Sequence, residues 1–365
     1  MNALEQLHTL GQSIWYDNVE RGLLESGEMA RLIANGVRGV TSNPTIFEKA
    51  ILGSSSYDQA IAEAVSQRMT VDELYDHLVF HDIRAVADLL APVYQSSRGI
   101  DGYVSIEVSP ALAEDADGTV REAHRLRQAV GRDNVMIKVP ATHAGIEAVE
   151  RLIAEGVPVN VTLIFGLTQY GRVLEAYIAG LESRQKQGLS LDVASVASFF
   201  VSRVDTLVDK EVSNKKLPTE LAGKAAVANA KLAYAHFKTV SESDRWQSLA
   251  TSGARVQRPL WASTSTKNPA YPVLLYVQTL VGPHTVNTVP PATLTHIEQA
   301  SEFERSVDVD VPSCRAAIAE LESAGISMEQ VSEQLLDEGL QGFRKSFDQL
   351  MGALTERLAG RPASN

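Results

Sequence analysis

The residues best placed to do covalent chemistry are one lysine and two carboxylates. Lys138 sits in NVMIKVPAT (134–142), inside a run that otherwise avoids water. Alternation along a strand puts Val135, Ile137 and Val139 on one face and Met136 and Lys138 on the other. Pro140 closes the strand, because it cannot continue a ladder from the inside. Burial disfavours the charged form of a lysine and frees its amine as a nucleophile. The alternative is a side chain that reaches the strand's end and snorkels to solvent, and this stretch alone does not separate the two. The carboxylates are Glu107 in GYVSIEV and Asp17 at the end of SIWYD. An amine beside carboxylates suggests imine chemistry. A Schiff base makes the carbonyl carbon an electron sink, so the C–C bond beside it can break, and a carboxylate can serve as acid and base. The eight histidines are scattered, without a His-x-x-x-His or His-Glu-x-x-His pair. Neither a metal nor a cofactor is expected.

A frame must bring these groups together. Residues 1–12 read as a short helix, 13–17 as a strand, and 18–35 as a helix closed by Gly36. A second strand, 37–43, is stopped by Pro44. Thr70 and Glu73 make a capping box for a helix running to about Leu90. Further strands read at 102–108, 135–139, 157–164, 193–201, 259–264 and 284–289. Between them lie helices at 119–130, 145–155 and 168–187, and an alanine-rich helix near 221–240. A helix near 294–300 precedes a helical tail at 312–323 and from Ser327, where Ser327 and Gln330 make another capping box. Leu340, Phe343, Phe347, Leu350 and Leu354 recur at helical spacing, so the tail has one apolar face. Phe343 and Phe347 are expected to anchor it.

Eight strands, most followed by a helix, imply a parallel sheet and a closed (β/α)8 TIM barrel. An open doubly wound sheet is the alternative. It loses ground without a Gly-x-Gly-x-x-Gly after the first strand or a Gly-x-x-x-x-Gly-Lys motif. The expectation is one barrel domain over 1–365, with helical insertions at about 50–95 and 205–258 and a C-terminal helical segment at about 312–360.

In a barrel, one face of each strand meets the helices and the other points at the axis. Val104, Ile106 and Val108 oppose Tyr103, Ser105 and Glu107, while Val157, Val159, Val161 and Leu163 oppose Pro158, Asn160, Thr162 and Ile164. The apolar sets belong with the helices. Glu107, Lys138, Asn160 and Thr162 therefore point inward, and the same count places Asp17, Asn43, Ser198 and Phe200 inside. Each has a bland reading. Asn43 could cap a turn before its proline, and Asp17 could cap a helix. Asn160, Thr162 and Ser198 could form a satisfied interior network, and Glu107 and Lys138 a buried ion pair. Their convergence on one end of one barrel favours a site, because structural barrel interiors are mostly branched aliphatics.

Composition narrows the classes. The chain has 365 residues and a net charge of −12, which argues against general nucleic-acid binding but not against an anionic substrate. Its one cysteine, Cys314, permits no intrachain disulfide and fits a reducing compartment. The first residues do not read as a signal peptide, and no run is long and apolar enough for a membrane span. A cytoplasmic protein is expected.

Six ordered motifs also carry a resemblance. They are SIWYD with Asp17, TSNPTIF with Asn43, SIEVSP with Glu107, NVMIKVPAT with Lys138, NVTLIF with Asn160 and Thr162, and SFFVSR with Ser198 and Arg203. With them, nearly the whole chain resembles the transaldolases of the pentose phosphate pathway, closest to a longer bacterial type. The resemblance implies a (β/α) barrel with its Schiff-base lysine, Lys138, on strand four. It implies that Asp17 takes the proton from the C4 hydroxyl as the C3–C4 bond breaks. Glu107 would move protons through a water near Thr162 during imine formation and hydrolysis. Asn43, Asn160 and Ser198, with Phe200 beside them, would orient the dihydroxyacetone unit. Arg203 and a cation after strand seven would grip the phosphate. The partners would be phosphorylated sugars, with both a homodimer and a monomer left open.

There are departures. The family's arginine in a Ser-Phe-Arg-Asn setting is replaced by Ser265-Thr266-Lys267-Asn268, and Lys267 keeps the charge without the bidentate fork. Strand six reads Ser-Phe-Phe where Ser-Pro-Phe is common. Related aldolases that release free dihydroxyacetone tend to carry Gln and Tyr where this chain has Glu107 and Phe200, which favours transfer. A sugar-phosphate binder would need no inward Lys, Asp and Glu, and a structural barrel would tolerate loss of the lysine.

Overall fold

Short strands rich in β-branched residues alternate with longer helices, and each strand is too apolar to face water on either side. In the computed structural model, described here over residues 1–360, the solution is a closed barrel of eight parallel strands in sequential order. The strands are β1 (Gln12–Tyr16), β2 (Gly39–Val40), β3 (Tyr103–Glu107), β4 (Val135–Pro140), β5 (Val159–Ile164), β6 (Ser195–Phe200), β7 (Arg258–Ala262) and β8 (Thr285–Val289). The expected TIM barrel is therefore the fold.

Several boundaries differ from the sequence reading, each for a local reason. The helix expected at 18–35 is two helices, Arg21–Glu25 and Glu28–Ala34, because Gly27 between them has φ +78°, a left-handed conformation that ends a helix. Strand β2 is only two residues long, although Thr41 N–H still bonds Tyr16 O at 2.9 Å. Gly39 is required there, since a Cβ would lie 2.5 Å from the Trp15 ring. The capping box at Thr70 forms, but its helix continues to Ser96. At Ser327 the bond that forms is Gln330 N–H to Ser327 Oγ at 3.4 Å, while Met328 N–H is taken by Glu322.

The alternation of β5 also breaks. Its register with β6 shifts between Val161 and Ile164, and Leu163 has φ +59°. This bulge re-aims the end of the strand. Leu163 then packs under Gly339 of the C-terminal helix Met328–Leu358, where a Cβ would come within 2.9 Å of Leu163. Phe343, Leu350 and Leu354 of that helix are buried and Phe347 is half-buried. Ser346 Oγ lies 2.8 Å from Thr45 Oγ1 and the Phe347 ring meets Tyr75 edge-on at 5.3 Å. The apolar face read at 340–354 is thus docked across the barrel.

At the N-terminal end of the barrel, Arg258 pairs with Asp101 at 2.9 Å and donates to Ser13 Oγ at 2.7 Å. Ser13 and Trp15 both donate to Asp101. These buried charges are closed on one another, which leaves the opposite end for chemistry. Among the described residues no helix is long and apolar enough to cross a membrane.

Candidate active site

Parallel register builds the floor of the site. Glu107 stands beside Lys138, and Lys138 beside Asn160, on β3, β4 and β5. Glu107 and Lys138 lie in the C-terminal halves of their strands, where barrel sites form, while Asn160 sits near the start of its own. Lys138 is buried, its side chain 5% exposed. Its Nζ donates to Ser42 O at 3.1 Å and lies 3.4 Å from Glu107 Oε2. The Phe343 ring sits 5.7 Å from the same nitrogen. The snorkelling alternative is thereby set aside: the amine ends inside, beside a carboxylate and under an aromatic ring.

Burial pushes the Glu107 carboxyl up to about 6, against the pull of the Lys138 charge and with the Asp17 charge adding to the rise. The group therefore holds its proton more tightly folded than unfolded. Its contribution favours the fold below the ordinary carboxyl range and is withdrawn as pH rises through about 6. The same shift makes it a proton donor and acceptor near neutrality. The steps that make and hydrolyse an imine are expected to bend with an apparent pKa near 6, and Glu107→Gln should abolish that bend in a pH profile of kcat/KM, which reports the free enzyme's groups.

Asp17 follows β1 directly and shares the inward parity of Ser13 and Trp15. Its N–H bonds Val289 O at 2.9 Å, which ties the turn to β8. Burial raises its carboxyl above the usual range, while the Lys138 charge, a hydrogen bond from Thr41 and the Arg203 charge oppose this. Thr41 Oγ1 donates to Asp17 Oδ1 at 2.6 Å, and Thr288 Oγ1 lies 2.6 Å from Thr41 Oγ1. Asp17 caps no helix. Asn43 does, accepting from Ile46 N–H at 2.9 Å, and it still lines the cavity described below. The interior network is also real: Ser198 donates to Asn160 Oδ1 at 2.7 Å and Asn160 donates to Ser105 Oγ at 3.0 Å. That chain fixes the Asn160 amide beside Lys138.

These groups converge on a cavity of about 590 Å³. Asp17, Asn43, Lys138, Thr162, Ser198 and Phe200 lie on its walls, and Arg203, Ser265 and Lys267 do as well. Glu107 and Asn160 do not; they stand behind the wall, against Lys138 and Ser198. Arg203 opens the helix Ser202–Asn214, with its guanidinium 5.4 Å from the Phe200 ring centre. Lys267 Nζ donates to Ser265 Oγ at 2.8 Å. Burial lowers the Lys267 ammonium, and so do the nearby charges of Arg203 and Lys49. Three cations that repel one another at one mouth are a receptor for a multiply charged anion.

Lys49 was missed by sequence reasoning, as were Thr41, Thr288 and the inward aim of Phe343. A signal for Lys49 existed. Ile46, Lys49 and Gly53 of the helix Pro44–Gly53 all line the cavity, which is one helical face beginning just after Asn43. Removing this exposed cation should weaken grip on an anion without touching the floor. Lys49→Ala is expected to raise KM for a phosphorylated sugar by roughly three- to tenfold with kcat nearly unchanged.

Comparison with known proteins adds ancestry to this geometry. The family model described as Transaldolase/Fructose-6-phosphate aldolase matches residues 14–354. A transaldolase of Trichodesmium erythraeum is 45% identical over 371 residues, covering 98% of each chain. One from Thermobifida fusca is 47% identical, covering 98% of this chain and 99% of its own. One from Neisseria gonorrhoeae is 42% identical, covering 97% of this chain and all of its own (100%).

Proposed function

The chain belongs to the transaldolase/fructose-6-phosphate aldolase family, and within it we propose that it acts as a transaldolase with Lys138 as the imine-forming residue. It moves a dihydroxyacetone unit from sedoheptulose 7-phosphate to glyceraldehyde 3-phosphate, giving erythrose 4-phosphate and fructose 6-phosphate. One observation supports this above the rest: a buried amine and a second carboxyl, Asp17, line a cavity with a cationic mouth, and an elevated carboxyl, Glu107, stands directly behind the amine.

In this reading Arg203, Lys267 and Lys49 hold the phosphate, which sets the ketose with its C2 carbonyl at Lys138. The amine adds to C2, and Glu107 gives the proton that lets the hydroxyl leave as water. Asp17 then takes the C4 hydroxyl proton as the C3–C4 bond breaks, and the electron pair is drawn into the iminium. The aldehyde departs. Asn43 and Ser198, the latter held by Asn160, keep the three-carbon enamine oriented until a second aldehyde accepts it. Phe343 and Phe200 help exclude water, which would otherwise intercept the intermediate. Thr162, on the cavity wall, would steady the water used when the product imine is hydrolysed.

Transfer over release rests on Phe200, whose ring carries no proton to donate. Phe200→Tyr places a phenol at that wall, and a phenol can act as an acid. It is expected to raise release of free dihydroxyacetone from fructose 6-phosphate by roughly tenfold, read by a coupled dehydrogenase assay. No gain would remove Phe200 from the account. The parent activity is tested by supplying fructose 6-phosphate and erythrose 4-phosphate and following sedoheptulose 7-phosphate. Release of dihydroxyacetone without transfer would contradict the reading. A cytoplasmic setting belongs to the same proposal, and one cysteine in 365 residues accords with a reducing compartment.

A further inference from the structure

Glu107 lies 3.4 Å from the Lys138 amine but does not line the first cavity. It lines a second cavity, of about 380 Å³, bounded by Tyr75, Phe347, Glu122 and Arg125. Asn43 is a wall common to both cavities. The outer rim is charged: Arg125 reaches Asp76 at 2.5 Å and Glu122 at 2.8 Å, and its side chain is 47% exposed. The inner end is the carboxyl itself. Glu107 Oε2 is buried and makes no hydrogen bond with the described residues, its contact with Lys138 being a longer ion pair. Thr162 Oγ1, on the sugar side, is likewise buried and without a protein partner. Buried polar atoms of this kind call for a partner that the described residues do not supply.

The chemistry needs water on that side. When the amine adds to C2 it forms a carbinolamine. Loss of the hydroxyl with a proton from Glu107 breaks the C2–O bond, forms C2=N and yields one water. Hydrolysis reverses this: one water adds to C2, its proton passes to Glu107, and the C2–N bond breaks. During both steps the ketose occupies the first cavity with its phosphate at the cationic mouth. A water formed against Glu107 is then on the wrong side of the sugar to leave that way.

We propose that the second cavity is the water port of the imine chemistry, so that sugar and water reach Lys138 by separate routes on either side of it. This rests on the transaldolase reading above. The port has Glu107 at its inner end, Tyr75 and Phe347 as its apolar wall, and Arg125 with Asp76 and Glu122 as its rim. The apolar wall holds water weakly, which suits passage over storage.

A reversible plug tests it. In a Cys314→Ala background, Glu122→Cys places the only thiol at the rim, and Glu122 touches neither sugar nor Lys138 in this account. A benzyl methanethiosulfonate label fills the port, a methyl label leaves it open, and dithiothreitol removes either. The readouts are kcat, KM for fructose 6-phosphate, and exchange of ¹⁸O from labelled water into the C2 carbonyl. The equilibrium fraction of enzyme trapped by borohydride is read as well. The benzyl label should slow turnover and ¹⁸O exchange together by at least tenfold, with KM and the equilibrium trapped fraction unchanged and full recovery after reduction. A distorted site would move KM or the trapped fraction. Fully labelled enzyme that keeps its turnover and exchange within threefold overturns the proposal, and so does a loss that the methyl label reproduces. Absence of any trapped adduct in the unlabelled variant would instead overturn the Lys138 imine on which the port depends.

Discussion

Replacing Lys138 with Met is expected to reduce transfer by at least about 10⁴-fold, because the covalent route is lost and the uncatalysed alternative needs a free carbanion. Two further outcomes accompany that loss. Binding of fructose 6-phosphate, measured by calorimetry, should change only a few-fold, since Arg203, Lys267 and Lys49 remain at the mouth. The fold should survive. Removing one partner of a buried ion pair is ordinarily costly, but here the partner left behind is Glu107, already raised to about 6 with Lys138 pulling it down. Without that pull it rises further, which favours the neutral form and lessens the cost of the partner left behind. Turnover retained by Lys138→Met would return the chain to the binding or structural readings.

The second large effect is expected at Asp17. Asp17→Asn keeps an oxygen to accept from Thr41 at the position now 2.6 Å away, so its geometry can persist. What it cannot do is take a proton. Loss of a positioned general base costs about 10²- to 10⁴-fold, and kcat should fall within that range. The distinguishing feature is where the reaction stops. Imine formation needs Lys138 and Glu107, so Asp17→Asn should still be trapped by borohydride on fructose 6-phosphate. Cleavage of C3–C4 should be slow enough for the uncleaved six-carbon adduct to accumulate. An adduct of three carbons formed at the normal rate would show that some other group removes the C4 proton.

Much of this site was legible because β3 and β4 obey simple alternation, as does β5 up to its bulge beyond Val161. β3, β4 and β5 present Glu107, Lys138 and Asn160 in neighbouring register, and their apolar opposite faces left only one way to turn. Of the bland readings, the helix cap at Asp17 does not form, while those for Asn43 and Asn160 were incomplete. Asn43 does cap a helix and Asn160 does belong to a hydrogen-bonded chain, yet Asn43 lines the cavity and Asn160 stands beside Lys138 in register. What escaped the sequence depends on chain reversals and long contacts. Alternation cannot foresee a bulge, so the packing of Leu163 under Gly339 was invisible. Nor can it say where a helix 31 residues long will lie, and so the contact of Phe343 with Lys138 had no local signal. The pairing of Arg258 with Asp101 spans 157 residues and was missed for the same reason. The second cavity behind Glu107 is assembled from β3, its following loop and four separate helices, and no single stretch announces it.

The most direct test of the central claim is borohydride trapping with fructose 6-phosphate, read by intact mass and then by peptide mass. A stable adduct on the peptide that carries Lys138, absent from Lys138→Met, is the predicted result. A folded protein that binds the sugar but yields no adduct on Lys138 would contradict the imine mechanism.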